Sequence, residues 1–108
     1  MNETPQRVAV VTGASRGIGL EVVVGLADEG YAVAACSRTL SPGLEAAVAR
    51  RPAIAFHKLD LESAESVKAC AQGLHKAYDR LDVLVNAPGV AAGGLFSMTG
   101  IEAMKRFF

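Results

Sequence analysis

Tryptophan is absent from this 108-residue sequence, aromatic residues make up only 6% of it, and there are just two cysteines and two histidines. Cys36 and Cys70 fall in stretches that read as a buried strand and a helix. They are too sparse for the disulfide framework of a small secreted scaffold, so both are expected to be reduced. No Cys-x-x-Cys or His-x-x-x-His spacing occurs, which leaves no metal site to argue for. His57 continues an apolar run and His75 sits in a helical stretch, so both read as structural or solvated. An excess of either charge is also lacking: 11 acidic side chains face 11 basic ones, which argues against a nucleic-acid or other polyanion partner. The longest apolar runs, such as Val8 to Val11 and Val22 to Val24, fall far short of the roughly 18 to 20 residues that span a bilayer, so no membrane crossing is expected. The stretch Met1 to Arg7 has neither the apolar core of a signal peptide nor the Arg-rich, acid-poor pattern of a transit peptide. The default expectation is a cytoplasmic address, with the mitochondrial matrix left open.

What is present is an apolar fraction of 51%, enough to fill one interior and consistent with a single domain or part of one. β-Branched runs alternate with longer segments of helical spacing, the pattern of βαβ units around a parallel sheet. Arg7 to Thr12 reads as a first strand, apolar at nearly every position as a strand covered on both faces must be. Glycines 13, 17 and 19 follow, then a helix to about Glu29, with Gly30 placed as a left-handed cap. Tyr31 to Cys36 reads as a second strand; Ser41-Pro42 as an N-cap with proline at the first helical position, opening a helix to about Arg50. Ala53 to Leu59 is the third strand, Ser63 caps a helix to about Tyr78, and Leu81 to Val85 is the fourth strand. Asp79, Arg80 and Asp82 read as a polar turn feeding that strand. After a Gly/Ala-rich connection, Thr99 or Gly100 begins a further helix with Met98, Ile101, Met104, Phe107 and Phe108 as an apolar face.

The chemistry concentrates in Thr12-Gly-Ala-Ser-Arg-Gly-Ile-Gly19, between a strand and a helix, where backbone N–H groups and the positive end of a helix dipole can receive a pyrophosphate. Gly13 permits the tight turn, Gly17 lets a phosphate approach the backbone, and Gly19 allows close helix–strand packing. A Walker-type phosphate loop is excluded because the Lys-Ser/Thr that must follow is absent. Charge decides which dinucleotide fits. NAD-selective sites place a carboxylate after the second strand to accept from the ribose 2′-OH, whereas no Asp or Glu occurs between Tyr31 and Leu44. Ser37-Arg38 stands there instead, with Arg16 in the glycine loop, so two guanidinium groups can converge on the 2′-phosphate of NADP(H).

The spacing Gly-x-x-x-Gly-x-Gly preceded by Thr resembles the short-chain dehydrogenase/reductase family, and the resemblance runs in order from Arg7 to Phe108. Asp60, in Lys58-Leu-Asp-Leu61, matches the family's adenine-contacting aspartate, and Asn86-Ala-Pro-Gly89 stands where Asn-Asn-Ala-Gly is usual. First and last residues of that motif match; Pro88 removes a backbone donor near the expected nicotinamide-ribose contact. The resemblance implies an α/β, three-layer, doubly wound Rossmann fold with parallel strand order 3-2-1-4, here truncated after the fourth strand, residues 1–108 forming the N-terminal portion of one NADP(H)-binding domain. It implies cofactor contacts from Gly13, Ser15, Arg16, Gly17, Ile18 and Gly19, from Ser37 and Arg38, from Asp60 and Leu61, and from Asn86, Ala87 and Gly89.

The family's proton donor is a Tyr-x-x-x-Lys pair helped by Ser and Asn, but position 35 after Tyr31 is Ala and position 82 after Tyr78 is Asp, so no catalytic residue is assigned. The expectation is therefore the cofactor-binding portion of an NADPH-dependent carbonyl reductase, of the 3-oxoacyl-carrier-protein reductase and carbonyl reductase branch. Its substrate would be a 3-oxoacyl thioester, small ketone or quinone, bound only when the remaining half is present. The alternative is a truncated, non-catalytic nucleotide-binding or oligomer-interaction protein, with Ile101, Met104 and Phe108 as candidate interface residues.

Overall fold

A computed structural model describes residues 6–87. Within them the elements run β1 (Val8–Thr12), α1 (Gly17–Asp28), β2 (Ala32–Ser37), α2 (Pro42–Arg50), β3 (Ile54–Lys58), α3 (Ala64–Ala77) and β4 (Val83–Asn86). The strands form one parallel sheet in the order β3-β2-β1-β4, the doubly wound arrangement expected. Pro88, Gly89 and the segment containing Met98, Ile101, Met104, Phe107 and Phe108 lie outside the described residues, as do the helix and interface assigned there.

β1 is buried throughout and apolar from Val8 to Val11. Alternate residues serve opposite layers. Val10 joins Ala34 and Cys36 of β2 against Val67, Cys70, Ala71 and Leu74 of α3. Val11 joins Val33 and Ala35 against Val23 of α1 and Leu44 and Ala47 of α2. Burying each such Val or Leu is worth about 1.5–3 kcal/mol, so covering both faces fixes which strands sit at the centre. Register aligns Thr12 with Cys36 on one side and Asn86 on the other, bringing the carboxyl ends of three strands to one edge.

Both cysteines are free and buried. A hydrogen bond to Cys70 and burial together push the Cys36 thiol well above its ordinary pKa, keeping it protonated. His57 packs its ring on Tyr78 at 6.0 Å between centroids, and burial pushes its pKa down, so the imidazole is neutral in the folded chain. Among the described residues no helix is long and apolar enough to cross a membrane, and no three His, Cys, Asp or Glu side chains group to hold a metal.

The helix ends follow their local sequence. Gly30, at φ 98°, donates to Ala27 O and Tyr31 N donates to Leu26 O, the paired bonds of a Schellman cap. Because Tyr31 N is engaged in that cap, β2 starts at Ala32 rather than at Tyr31. Ser41 Oγ accepts from Leu44 N at 3.1 Å and Ser63 Oγ from Ser66 N at 3.1 Å, closing α2 and α3 as their sequences predict.

At the amino edge of the sheet the polar turn before β4 is held by charge. Arg80 donates to both oxygens of Asp82, and Asp82 Oδ2 also accepts from Val8 N at 2.8 Å, which ties the start of β1 to β4. That carboxylate occupies the entry of the ladder, and β4 begins at Val83 instead of Leu81. Arg80 first, and the Val8 amide second, lower the Asp82 pKa. A lowered native pKa means stabilisation that is complete above the ordinary carboxylate range and is withdrawn as pH falls through the native value. Asp82→Asn is expected to lower the melting temperature at pH 7 and to shrink that difference as pH drops below about 4; thermal melts of both proteins from pH 7 to pH 3 check this, and a difference that stays constant with pH would contradict it.

Candidate nucleotide-binding site

The carboxyl edge of β1 opens into the glycine loop. Gly13 and Gly17 take φ values of 69° and 62°, the left-handed region that side chains resist. A Cβ at Gly19 would stand 2.8 Å from the carbonyl carbon of Gly13, so α1 can begin here only with glycine at that position. A Cβ at Gly17, by contrast, would meet nothing within 4 Å, leaving clear space over that part of the backbone. Gly19 thus packs the helix start against the loop's own turn, while Gly17 keeps an open face.

α1 differs from the other helices in how it starts. Its N-cap, Arg16, is extended and gives no side-chain cap, and its first turn holds no acidic residue. α2 and α3 have Ser41 and Ser63 as caps with Glu45 and Glu65 in their first turns. The first N–H groups of α1, on a loop with an open glycine, are donors to which no side chain of the cap responds. Ile18, at 76% exposure, lies at this opening.

Neighbouring elements hold the loop. Ala14 N donates to Cys36 O at 3.2 Å, fastening it to the end of β2. Ser41 Oγ donates to Ser15 O, fastening it to the start of α2. After β2 the buried Ser37 turns its hydroxyl to Thr39 O at 2.6 Å, so its proton shapes the turn that carries the exposed Arg38. Arg16 is exposed as well, and neither arginine forms an ion pair with a described residue. Thr12 Oγ1, fully buried, donates to Asn86 Oδ1 at 2.8 Å, and Ala87 N donates to Thr12 O at 3.1 Å, locking the ends of β1 and β4 together. After β3, Asp60 N donates to Ser66 Oγ and Asp60 Oδ1 accepts from Glu62 N, while Leu61 packs on the α3-side core. The candidate residues at the carboxyl ends of the four strands therefore share one edge, Gly89 alone lying outside the described residues. The roles of Ser41 and Thr12 are not legible in motif spacing, because each acts through a partner distant in sequence.

Both described tyrosines lie away from β4. Tyr31 accepts from Arg7 at the amino end of β2, and Tyr78 packs beside His57 under β3, the strand farthest from β4.

The profile of the short chain dehydrogenase family matches residues 7–108. The chain is 39% identical over 110 residues to (+)-neomenthol dehydrogenase of Arabidopsis thaliana, an alignment covering 95% of this chain and 36% of that protein. Among solved structures, NADPH-bound carbonyl reductase from chicken fatty liver superposes with a TM-score of 0.73 at 29% identity, covering 85% of this chain and 38% of the other. A 3-oxoacyl-[acyl-carrier protein] reductase from Brucella melitensis superposes with a TM-score of 0.81 at 25% identity, covering 96% and 51%. The chain spans about a third of the length of the curated relatives it matches. It belongs to the short-chain dehydrogenase/reductase family.

Two of the three glycines of α1, Gly19 and Gly25, provide a test of the loop geometry. Gly19→Ala is expected to destabilise the chain by about 1–3 kcal/mol, since backbone atoms rather than a flexible side chain occupy the space. Gly25→Ala, in the same helix with nothing within 4 Å, should stabilise it by about 0.5–1 kcal/mol. Urea unfolding of the two variants measures both; equal effects would show that the close approach at Gly19 is not a constraint.

Proposed function

We propose that the chain holds NADP(H), with the pyrophosphate on the glycine loop at the start of α1 and the 2′-phosphate between Arg16 and Arg38, as the cofactor-binding part of an enzyme that reduces a carbonyl to an alcohol. The observation that carries this reading is the combination at the carboxyl edge of an uncapped helix start, an open Gly17 and two arginines without acidic partners. A carboxylate after β2 would repel a 2′-phosphate, and the sequence has none from Tyr31 to Leu44. When bound, the dinucleotide supplies the hydride for carbonyl reduction.

The chain's own residues bind and orient. Backbone N–H groups of the glycine loop and the first turn of α1 receive phosphate oxygens. Arg16 and Arg38 supply charge-assisted donors to the 2′-phosphate. Asp60 and Leu61 border the adenine, and Asn86 and Ala87, positioned through Thr12, border the nicotinamide ribose. Family membership, the NADPH-bound carbonyl reductase and neomenthol dehydrogenase support a ketone as the group reduced. A small ketone or quinone is favoured over a 3-oxoacyl thioester, whose reductase is the more distant neighbour at 25% identity.

Titration of the chain with NADPH and NADH tests the assignment directly, with tighter binding of NADPH expected. Arg38→Asp removes a cation and adds a ribose 2′-OH acceptor, so NADPH affinity should fall about ten- to a hundredfold while NADH affinity holds or rises. Unchanged discrimination in that variant would refute the phosphate clamp.

A further inference from the structure

Three side chains carry the two arginines' surroundings: Ser15 precedes Arg16, Ser37 precedes Arg38, and Ser41 follows three residues after Arg38. Ser37 spends its proton on its own turn. Ser41 does something different. A hydroxyl has one proton and two lone pairs, and Ser41 uses both sides at once: its oxygen accepts from Leu44 N at 3.1 Å, capping α2, and its proton goes to Ser15 O in the glycine loop.

That second bond crosses 26 residues of sequence and is part-buried. Among the described residues it is the hydrogen bond that joins the stretch bearing Arg16 directly to the stretch leading from Arg38 into α2. Two other contacts hold the flanks. Ala14 N on Cys36 O anchors the loop to the end of β2, and the first turn of α2 rests on α1 where a Cβ at Gly43 would stand 3.0 Å from Leu20 Cδ2. The first ties residues two positions before each arginine and the second lies beyond Ser41; the Ser41–Ser15 bond adds a side-chain tie on the residue next to Arg16. Ser41 thereby contributes to the spacing of the two guanidinium-bearing segments.

We infer that Ser41 is a positioning residue for dinucleotide choice: by bonding Ser15 O it holds Arg16 and Arg38 at the separation that lets both engage one 2′-phosphate. This rests on the NADP(H) reading above. Only a ligand carrying a 2′-phosphate bridges the two arginines, so loosening their spacing weakens NADPH and leaves NADH, which lacks that group, nearly untouched. A residue that merely stabilised α2 would act on both dinucleotides alike.

The experiment uses the 108-residue chain with Ser41→Ala, Ser41→Gly and Ser41→Thr, titrated with NADPH and NADH alongside thermal melts. Glycine is nearly as good an N-cap as serine, so Ser41→Gly removes the loop bond while sparing the helix, and it decides the matter if Ser41→Ala melts too low to titrate. Threonine keeps both bonds. The expected result is a rise of about three- to tenfold in the NADPH Kd for the glycine and alanine variants, with the NADH Kd within about twofold of wild type and the wild-type ratio retained by threonine. An unchanged ratio in the glycine variant, equal weakening of both dinucleotides, or failure of threonine to retain the ratio would overturn the inference and leave the NADP(H) reading standing. A wild-type chain with no preference for NADPH would overturn both.

Discussion

The Gly13 carbonyl occupies the place where a side chain at position 19 would stand, and the rest of the site depends on that close approach. It brings the first turn of α1 directly over the carboxyl end of β1. β1 is an interior strand, with Thr12 in register between Cys36 and Asn86, so the helix start is aimed at the point where three strand ends meet. The loop that makes this approach possible needs two left-handed residues, Gly13 and Gly17, and its remaining positions are then free to carry Ser15, Arg16 and Ile18 to the rim. One steric requirement thus places a helix dipole, an open backbone face and a guanidinium at the same edge.

The three helices of the described residues show how they distribute their polar ends. α2 and α3 close their amino termini with serine oxygens and a first-turn glutamate, satisfying donors and complementing the dipole locally. α1 does neither. An N-terminus left without a cap costs stability of about 1 kcal/mol relative to a good one, and the fold carries that cost at the one helix start that faces the junction of strand ends. Thr12 and Asn86 show the complementary strategy: a fully buried hydroxyl is satisfied by the neighbouring strand's amide, so the floor of the site is rigid where its wall is open.

Much of this was legible in the sequence because the governing signals are local. Continuous apolar runs marked strands covered on both faces, Gly30 marked the end of α1, and Ser41-Pro42 and Ser63 marked the starts of α2 and α3. The glycine loop could be placed because its residues are contiguous and sit between two such elements. What escaped was set by hydrogen-bond partners that the local pattern does not name. Tyr31 leaves β2 because its amide caps α1, and Leu81 and Asp82 leave β4 because the Asp82 carboxylate takes the Val8 amide, 74 residues distant. Asn86 enters β4 through its pairing with Thr12. The second bond of Ser41 belongs to the same class: its capping role is written in the adjacent proline, whereas its hold on Ser15 exists only once α1 and α2 lie on the same face of the sheet.

The arginines divide by edge, and the division bears on what the carboxyl edge is for. At the amino edge Arg51 pairs with Asp28 at 2.9 Å, Arg80 grips Asp82, and Arg7 donates to Tyr31. Each of the two ion pairs lowers its carboxylate's pKa, although exposed pairs of this kind contribute little to stability. In these two pairs the charges of Arg51 and Arg80 are locally compensated. At the carboxyl edge Arg16 and Arg38 are exposed without an acidic partner, and the connection between β2 and α2 contains no carboxylate. The uncapped start of α1 adds its partial positive charge beside Arg16. Arg16 and Arg38 thus lack the carboxylate partners that Arg51 and Arg80 find within the chain. A phosphate group placed between them would supply that anionic partner.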